Sequence, residues 1–213
     1  MFFELLLQLL VGNIDQIMVS HYSQGSVAAI GNGNQIMNII ILVLSSMTVA
    51  TTVLISRYFG AGDPEKAKSV SNASIYSLSF FSIVVTLLIY GFQRPLFQWL
   101  QVPNDILDET CSYTVIVSTC ILIQAIYMVF ASILRSHKLM KYVTFVAIIM
   151  NTLNILGNAI LINGLFGFPR LGIIGAAIST NISKFIGLVI IILVFLKKTN
   201  MGLGLFEFKV FLI

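Results

Sequence analysis

Long apolar runs, separated by short polar segments, follow one another along the whole chain. Six runs that are free or nearly free of charged residues have about the 20 residues that an α-helix needs to cross a bilayer. We number these predicted spans 1 to 6 in chain order: Met1–Val19, Val27–Ser56, Ser69–Gln93, Thr110–Leu134, Tyr142–Pro169 and Leu171–Leu196. The pattern predicts an all-α integral membrane protein with six transmembrane helices and both chain ends on one side.

Composition narrows the class of protein. Of the 213 residues, 58% are hydrophobic and only 9% are charged, whereas soluble domains average about 25% charged residues. A soluble globular domain and a disordered chain are therefore excluded. The 12 Lys and Arg residues are scattered, so a formal net charge of +4 does not indicate nucleic acid as a partner. Cys111 and Cys120 lie in one apolar run and are predicted to be free thiols.

The distribution of basic residues predicts the orientation. Eight of them fall on the side that the two chain ends share, and only Arg94 and Arg170 fall on the other. Because cytoplasmic loops carry the excess of Lys and Arg, both termini are predicted to be cytoplasmic, in a multi-pass protein of the plasma (inner) membrane. The eight residues are Arg57, Lys66, Lys68, Arg135, Lys138, Lys141, Lys197 and Lys198. On the same side, Asp63 and Pro64 are the residue types that cap and begin a helix.

Polar side chains share one face in five of the six spans when they are placed at about 100° per residue. A span gains nothing from polar groups that face lipid, so an aligned set implies a cavity or a helix contact. With five such spans, the pattern favours a solvated pathway over helix contacts alone. The aligned residues include Glu4, Gln8, Asp15, Asn34, Asn38, Thr48, Thr52, Tyr113, Cys120, Gln124, Tyr127, Asn154, Asn158, Thr180, Asn181 and Lys184.

Asp15 is the most informative of these residues. A charged group at the centre of the bilayer costs roughly 2.5–3.5 kcal/mol on insertion scales, so a carboxylate below the lipid surface needs a reason to be there. Such a group can alternate between a protonated and a cation-bound state, and coupling an ion gradient to a cargo requires this alternation. Lys184 has two interpretations, a counter-charge for Asp15 or a gate that lines the cavity.

The chain carries no pattern of catalytic residues. His21 and His137 fall on opposite sides of the membrane and cannot share a metal, and the spacing of Cys111 and Cys120 is not that of metal ligands. A serine nucleophile inside the membrane would need a histidine there, and the predicted spans contain none. We therefore expect no enzyme, and no cofactor other than a coupling ion.

Six stretches together resemble the multidrug and toxic compound extrusion (MATE) transporters. They follow that family's order and loop lengths and cover nearly the whole chain. The stretches are Gly12–Tyr22, Val27–Asn32, Ser56–Ala67, Ile133–His137, Asn154–Asn158 and Gly167–Thr180. The resemblance implies a twelve-helix exporter of two six-helix lobes, which rocks between outward-open and inward-open states and exchanges cationic amphiphilic compounds for Na⁺ or H⁺.

The resemblance also implies roles for individual residues. In that family an Asp of the first helix is a coupling-ion residue, and the matching residue here is Asp15, where Na⁺ could bind. One branch adds an Asn and an Asp four positions apart in the fifth helix, with a Tyr and a Thr nearby. The matching residues here are Asn154 and Asn158, with Tyr127 or Gln124 and Thr180. Because an Asn replaces the expected Asp, the match indicates the branch whose main cation-binding acids lie in the other lobe.

Only one lobe of such an exporter fits in this chain. We expect residues 1–198 to form the N-terminal lobe and residues 199–213 to begin an amphipathic linker. The expected partners are the lipid bilayer, cationic drug-like molecules and the missing C-terminal lobe. Two alternatives stay open. A lipid-linked precursor flippase of the same superfamily would need more intramembrane basic residues than Lys184, and a non-transporting membrane subunit would use the polar faces only as helix contacts.

Overall fold

The computed structural model of the protein describes Val19, residues 24–167 and residues 169–199. These residues form α1 (Gln24–Gly60), α2 (Pro64–Trp99), α3 (Asn104–Ser118), α4 (Ile121–Ser136), α5 (Met140–Asn163) and α6 (Gly172–Lys198), with a short 3₁₀ turn at Leu165–Gly167. Within the described ranges there is no β-strand. Predicted span 1 apart from its last residue, and the predicted linker beyond Thr199, lie outside the described residues.

Five of the predicted spans have helical counterparts. Four helices, α1, α2, α5 and α6, are each long and apolar enough to cross a membrane. Predicted span 4 is not one straight helix, because α3 and α4 are joined at a bend of 42° and pass the same test only as a pair. The described part of the chain therefore holds four membrane-spanning helices, or five when the bent pair counts as one span.

The first two helices are longer than the predicted spans. α1 has 37 residues and α2 has 36, which gives each a length of about 54 Å at 1.5 Å per residue, against a hydrocarbon core of about 30 Å. The predicted start of α2 is confirmed, because Asp63 is the N-cap residue and its side chain accepts from the backbone N–H of Lys66. The hydrogen bond from the Lys66 side chain, with Nζ at 2.7 Å, lowers the pKa of Asp63 below its usual value of 3.8.

α5 ends six residues before the predicted end of span 5. Its last residue is Asn163, because Gly164 has a φ of 70° and adopts the left-handed conformation that closes helices. Pro169, at the predicted end, lies in non-helical chain before α6. The predicted boundary was wrong because the run stays apolar beyond the glycine, and hydropathy alone does not register a backbone stop.

The helices enclose a core that contains both apolar and polar side chains. Phe130 of α4 and Phe195 of α6 meet edge to face with ring centroids 5.1 Å apart. Large apolar side chains also cover the outside of the bundle; Phe80, for example, is 71% exposed. In a chain with membrane-spanning helices, such side chains contact the bilayer. Trp99 and Phe92, also exposed, lie near the end of α2, as aromatic residues do at a membrane interface.

Apart from Lys184, the helices bring the described charged residues to two opposite ends of the bundle. At one end, which we call the basic end, α1 and α4 finish side by side, and the rings of Phe59 and His137 lie 4.4 Å apart. All eight basic residues predicted for one side flank helix termini at this end. At the other end, Ser26 donates to Glu109 at 3.0 Å and Arg94 pairs with Asp108 at 3.2 Å.

Candidate functional site

α5 and α6 form the most closely packed helix pair of the site. Gly175, Ser179, Ser183 and Gly187 recur every fourth residue along α6 and are all buried. Small residues at this spacing let two helix backbones approach each other in membranes. The approach leaves no room at Gly175, where an added Cβ would lie 2.7 Å from the backbone oxygen of Leu161. We call these four residues the small-residue stripe.

Two polar residues of α5 are buried beside the stripe. Nδ2 of Asn154 donates to Oγ1 of Thr180 at 3.2 Å, and the backbone oxygen of Asn154 accepts from Oγ of Ser179 at 2.9 Å. Asn158, one turn further along α5, is also fully buried. The Oδ1 atom of Asn154 is buried without a hydrogen-bond partner among the described residues. Asn154 and Thr180 thus present an unused acceptor oxygen inside the bundle.

The break between α3 and α4 lies next to this site. Because the N–H of Cys120 bonds to the carbonyl of Val117 instead of Ile116, the helical ladder loses a bond there. Two neighbouring helices supply donors for the released carbonyl groups. Nδ2 of Asn181 in α6 donates to Ile116 at 2.6 Å, and Oγ1 of Thr86 in α2 donates to Ser118 at 3.2 Å. Non-helical backbone at membrane depth is tolerated only where it finds such partners.

Lys184 follows Asn181 by three positions, so it lies about one turn further along α6. Its side chain is half-buried, and no ion pair or hydrogen bond joins it to a described residue. Asp15, its proposed counter-charge, lies outside the described residues. The structure therefore places one basic side chain beside the break and leaves both interpretations of Lys184 as predictions.

Several polar residues of α1 make contacts between helices. Oγ1 of Thr52 bonds to Oγ of Ser132 at 2.8 Å, and Oγ of Ser136 donates to the backbone oxygen of Thr52 at 3.2 Å. Near the other end of α1, the hydroxyl of Tyr113 donates to Oδ1 of Asn34 at 2.9 Å. These bonds join α1 to α4 and to α3. For this part of the polar face, helix contact accounts for the pattern.

The remaining predicted site residues have different environments. Asn38 is exposed, although it lies well inside a membrane-spanning helix. Gln124 is half-buried and Tyr127 is buried, both on α4. The predicted alignment of Tyr113 with these two residues does not hold on one continuous helix, because the break separates them. Of the predicted site residues, the described hydrogen bonds join Asn154 with Thr180 and Asn34 with Tyr113.

Two features of the site were missed in the sequence. The small-residue stripe has a visible signal, its four-residue spacing. The break had a weaker one, the three consecutive residues Ser118, Thr119 and Cys120 inside an apolar run. No group of three or more His, Cys, Asp or Glu residues that could hold a metal ion occurs among the described residues.

Comparisons with known proteins agree on one family. The family model MatE matches residues 1–160. YisQ, an uncharacterised transporter of Bacillus subtilis, is 37% identical over 204 residues, which are 96% of this chain and 45% of that protein. NorM, a probable multidrug resistance protein of Thermotoga maritima, is 28% identical over 205 residues, which are 94% of this chain and 43% of that protein. The chain spans less than half the length of these curated relatives.

Solved structures show the same fold. A crystal structure of MATE in the bent conformation has a TM-score of 0.81 and 25% identity, and the match covers 87% of this chain and 40% of that chain. A crystal structure of MATE in complex with MaD5 has a TM-score of 0.85 and 24% identity, and the match covers 95% of this chain and 46% of that chain. Since the family model covers well over half of the residues, the chain belongs to the MatE family of transporters.

Proposed function

We propose that this chain is the N-terminal six-helix lobe of a cation-coupled multidrug exporter, with both termini in the cytoplasm of an inner-membrane protein. The observation that carries the proposal is the buried Asn154–Thr180 pair between α5 and α6, whose acceptor oxygen has no partner among the described residues. A buried polar group without a partner costs free energy, so its presence inside a transporter lobe supports a bound ion or a solvated path.

In the proposed mechanism Asp15 is the ion-responsive group. Protonation or Na⁺ binding at its carboxylate would change how predicted span 1 packs against α5 and α6. This change would release the cargo outward. The described part of α5 and α6 contains no carboxylate. The neutral oxygens of Asn154 and Asn158 are therefore the described groups best suited to bind the cation together with Asp15, or to accept a hydrogen bond from the protonated carboxyl group. Lys184 would either neutralise the charge of Asp15 or act as a gate that lines the cavity.

The energy available is sufficient for such a cycle. One charge that crosses the membrane contributes about 2.3 kcal/mol per 100 mV. A tenfold concentration ratio of cargo costs about 1.4 kcal/mol. Because a cationic cargo carries one charge outward, its exchange for one coupling ion moves no net charge and is driven by the concentration gradient of that ion alone. A second coupling ion per cargo molecule adds the contribution of the membrane potential and supports export against a tenfold gradient. The proposed cargo is a cationic amphiphile, exchanged for Na⁺ or H⁺.

The decisive experiment compares two conservative variants of the full-length transporter in proteoliposomes. Asp15→Asn should abolish efflux driven by an imposed Na⁺ or H⁺ gradient. Asp105→Asn is the matched control, since it makes the same chemical change at an exposed position in the first turn of α3, and it should retain efflux. Unchanged coupled efflux by Asp15→Asn would remove Asp15 from the mechanism.

The non-transporting subunit is the second candidate, because the bonds of Thr52 and Tyr113 show polar faces that act as helix contacts. Water access separates the two proposals. In the full-length protein, Asn38→Cys should react with aqueous thiol reagents if a pathway exists. Ile39→Cys, on a neighbouring exposed position about 100° around α1, is the lipid-facing control. If both cysteines were equally protected from the thiol reagents, the non-transporting subunit would be favoured.

The flippase is not favoured, since Lys184 is the one basic residue deep within the described spans.

A further inference from the structure

Two lysines from different helices converge on one aromatic ring at the basic end of the bundle. Tyr142 lies in the first turn of α5. Nζ of Lys141 is 5.2 Å from the centroid of its ring, and Nζ of Lys198, in the last turn of α6, is 5.4 Å from the same centroid. Both distances are within the range of a cation–π contact. The ring thus lies within cation–π range of two ammonium groups from different helices.

The helix dipole accounts for only part of this arrangement. Basic residues at a helix C-terminus are stabilised by the dipole, which explains why Lys197 and Lys198 end α6. It does not explain why Lys198 reaches a ring that Lys141 already occupies, since two like charges repel. No ion pair among the described residues includes either lysine. The described acids at this end are Asp63, which pairs with Lys66, and Glu65.

The surroundings of the ring have the polarity of a membrane interface. Lys141 and Lys198 are exposed and Tyr142 is half-buried. One turn further along α5, and so on the same face as Lys141 and Tyr142, Phe145 is a large apolar side chain that is also exposed. A molecule that touched both sets of residues would need an anionic group and an adjoining hydrocarbon chain. A phospholipid has both.

We propose that Lys141, Tyr142 and Lys198 form a binding site for the phosphodiester headgroup of an anionic phospholipid. The phosphate contacts the two ammonium groups, the ring fixes the lysine side chains, and an acyl chain runs along Phe145. Basic pockets between transmembrane helices bind headgroups in this way in other membrane proteins. In the proposed orientation the site faces the cytoplasmic leaflet. The proposal is independent of the transport mechanism.

The test is a lipid titration of the full chain in detergent, followed by native mass spectrometry. Phosphatidylglycerol should stay bound at concentrations where phosphatidylcholine does not. Lys198→Gln and Lys141→Gln should each weaken phosphatidylglycerol binding at least about tenfold, because each removes one charge-assisted contact with the phosphate. Lys197→Gln is the matched control, because it makes the same charge change one position away, and it should weaken binding clearly less since no cation–π contact joins Lys197 to the ring among the described residues. Tyr142→Leu should weaken binding, whereas Tyr142→Phe, which keeps the ring, should not.

Three results would overturn the proposal. Equal losses in Lys197→Gln and Lys198→Gln would mean that the lysines attract lipid only through diffuse charge. Equal binding of phosphatidylcholine would remove the role of the anionic group. Displacement of the lipid by millimolar inorganic phosphate would identify a site for soluble phosphate instead of a lipid. Circular dichroism of each variant checks that the helices are intact, which is expected because both lysines are exposed.

Discussion

The side-chain amide of Asn181 donates to the backbone carbonyl of Ile116 at 2.6 Å, and this bond replaces one that the broken helix has lost. Within the last turns of α3 the same carbonyl accepts a second bond, from Oγ1 of Thr119 at 2.7 Å. One donor comes from a neighbouring helix and the other from the break itself. The bend between α3 and α4 is therefore stabilised by contacts within the bundle.

The two donors to Ile116 should be partly redundant. Asn181→Leu or Thr119→Val alone leaves one donor in place, so each should cost about 0.5–1.5 kcal/mol of unfolding free energy. The double variant leaves the Ile116 carbonyl without either donor and should cost more than the sum of the single variants. Reversible unfolding in mixed micelles measures all three. Asn163→Leu, at an exposed helix end, is the control, and strictly additive losses would contradict the redundancy.

The small-residue stripe should not accept a methyl group at Gly175. Because the nearest atom is a backbone oxygen, Gly175→Ala forces the two helices apart and should cost about 1–3 kcal/mol, as overpacking does in cores. Gly91→Ala is the matched control, since no atom lies within 4 Å of its added Cβ. It should be neutral or stabilising by up to about 1 kcal/mol. Thermal unfolding in detergent compares them; a Gly175→Ala protein as stable as the wild type would refute the close approach.

Thr52 and Ser132 should be energetically coupled. Hydrogen bonds between transmembrane helices average about 0.6 kcal/mol, with a maximum near 1.7 kcal/mol, in double-mutant cycles. A cycle of Thr52→Val and Ser132→Ala should give a coupling energy in this range. Ser46, whose hydroxyl bonds only to its own helix among the described residues, provides the control cycle of Ser46→Ala with Ser132→Ala. A coupling energy of zero for Thr52 and Ser132 would mean that their 2.8 Å contact does not stabilise the bundle.

The cap of α2 should make stability depend on pH in the acid range. Because contact with Lys66 lowers the pKa of Asp63, the charged cap stabilises the folded state above the unfolded-state value of 3.8. This stabilisation is lost as the pH falls through the lower folded-state pKa. The melting temperature of Asp63→Asn should therefore be lower than that of the wild type at pH 7. In strong acid the two melting temperatures should be equal. Glu65→Gln, in the same helical turn, should show a smaller difference at neutral pH. If the difference in melting temperature between the wild type and Asp63→Asn grew as the pH fell, the stabilising role of the charged Asp63 cap would be contradicted.

Hydropathy and charge predicted most of the fold but not its local geometry. α1 and α6 were predictable because their apolar runs are bounded by charged residues or turn residues. The bend at Thr119 was not, since its sequence contains neither Pro nor Gly and its donors, Thr86 and Asn181, come from distant parts of the chain. The bend is caused by tertiary contacts, and these cannot be predicted from a single apolar run of the sequence.

The candidate site was predictable to a different degree. The periodicity placed Asn154 on a polar face, and the family resemblance suggested a nearby Thr180; the structure brings the two into hydrogen-bond contact. Periodicity could not distinguish Thr52, which bonds to a neighbouring helix, from Asn38, which is exposed in the same helix. That difference depends on which helix lies opposite each residue.

The interlocked backbones of α5 and α6 also limit how the lobe can move. Two helices that touch at Gly175 and share the bonds of Asn154 resist sliding and rotation against each other. We therefore expect α5 and α6 to stay together when the bundle changes shape. The end of α3 is tied to the same pair of helices, because Asn181 of α6 donates to the carbonyl of Ile116 just before the bend.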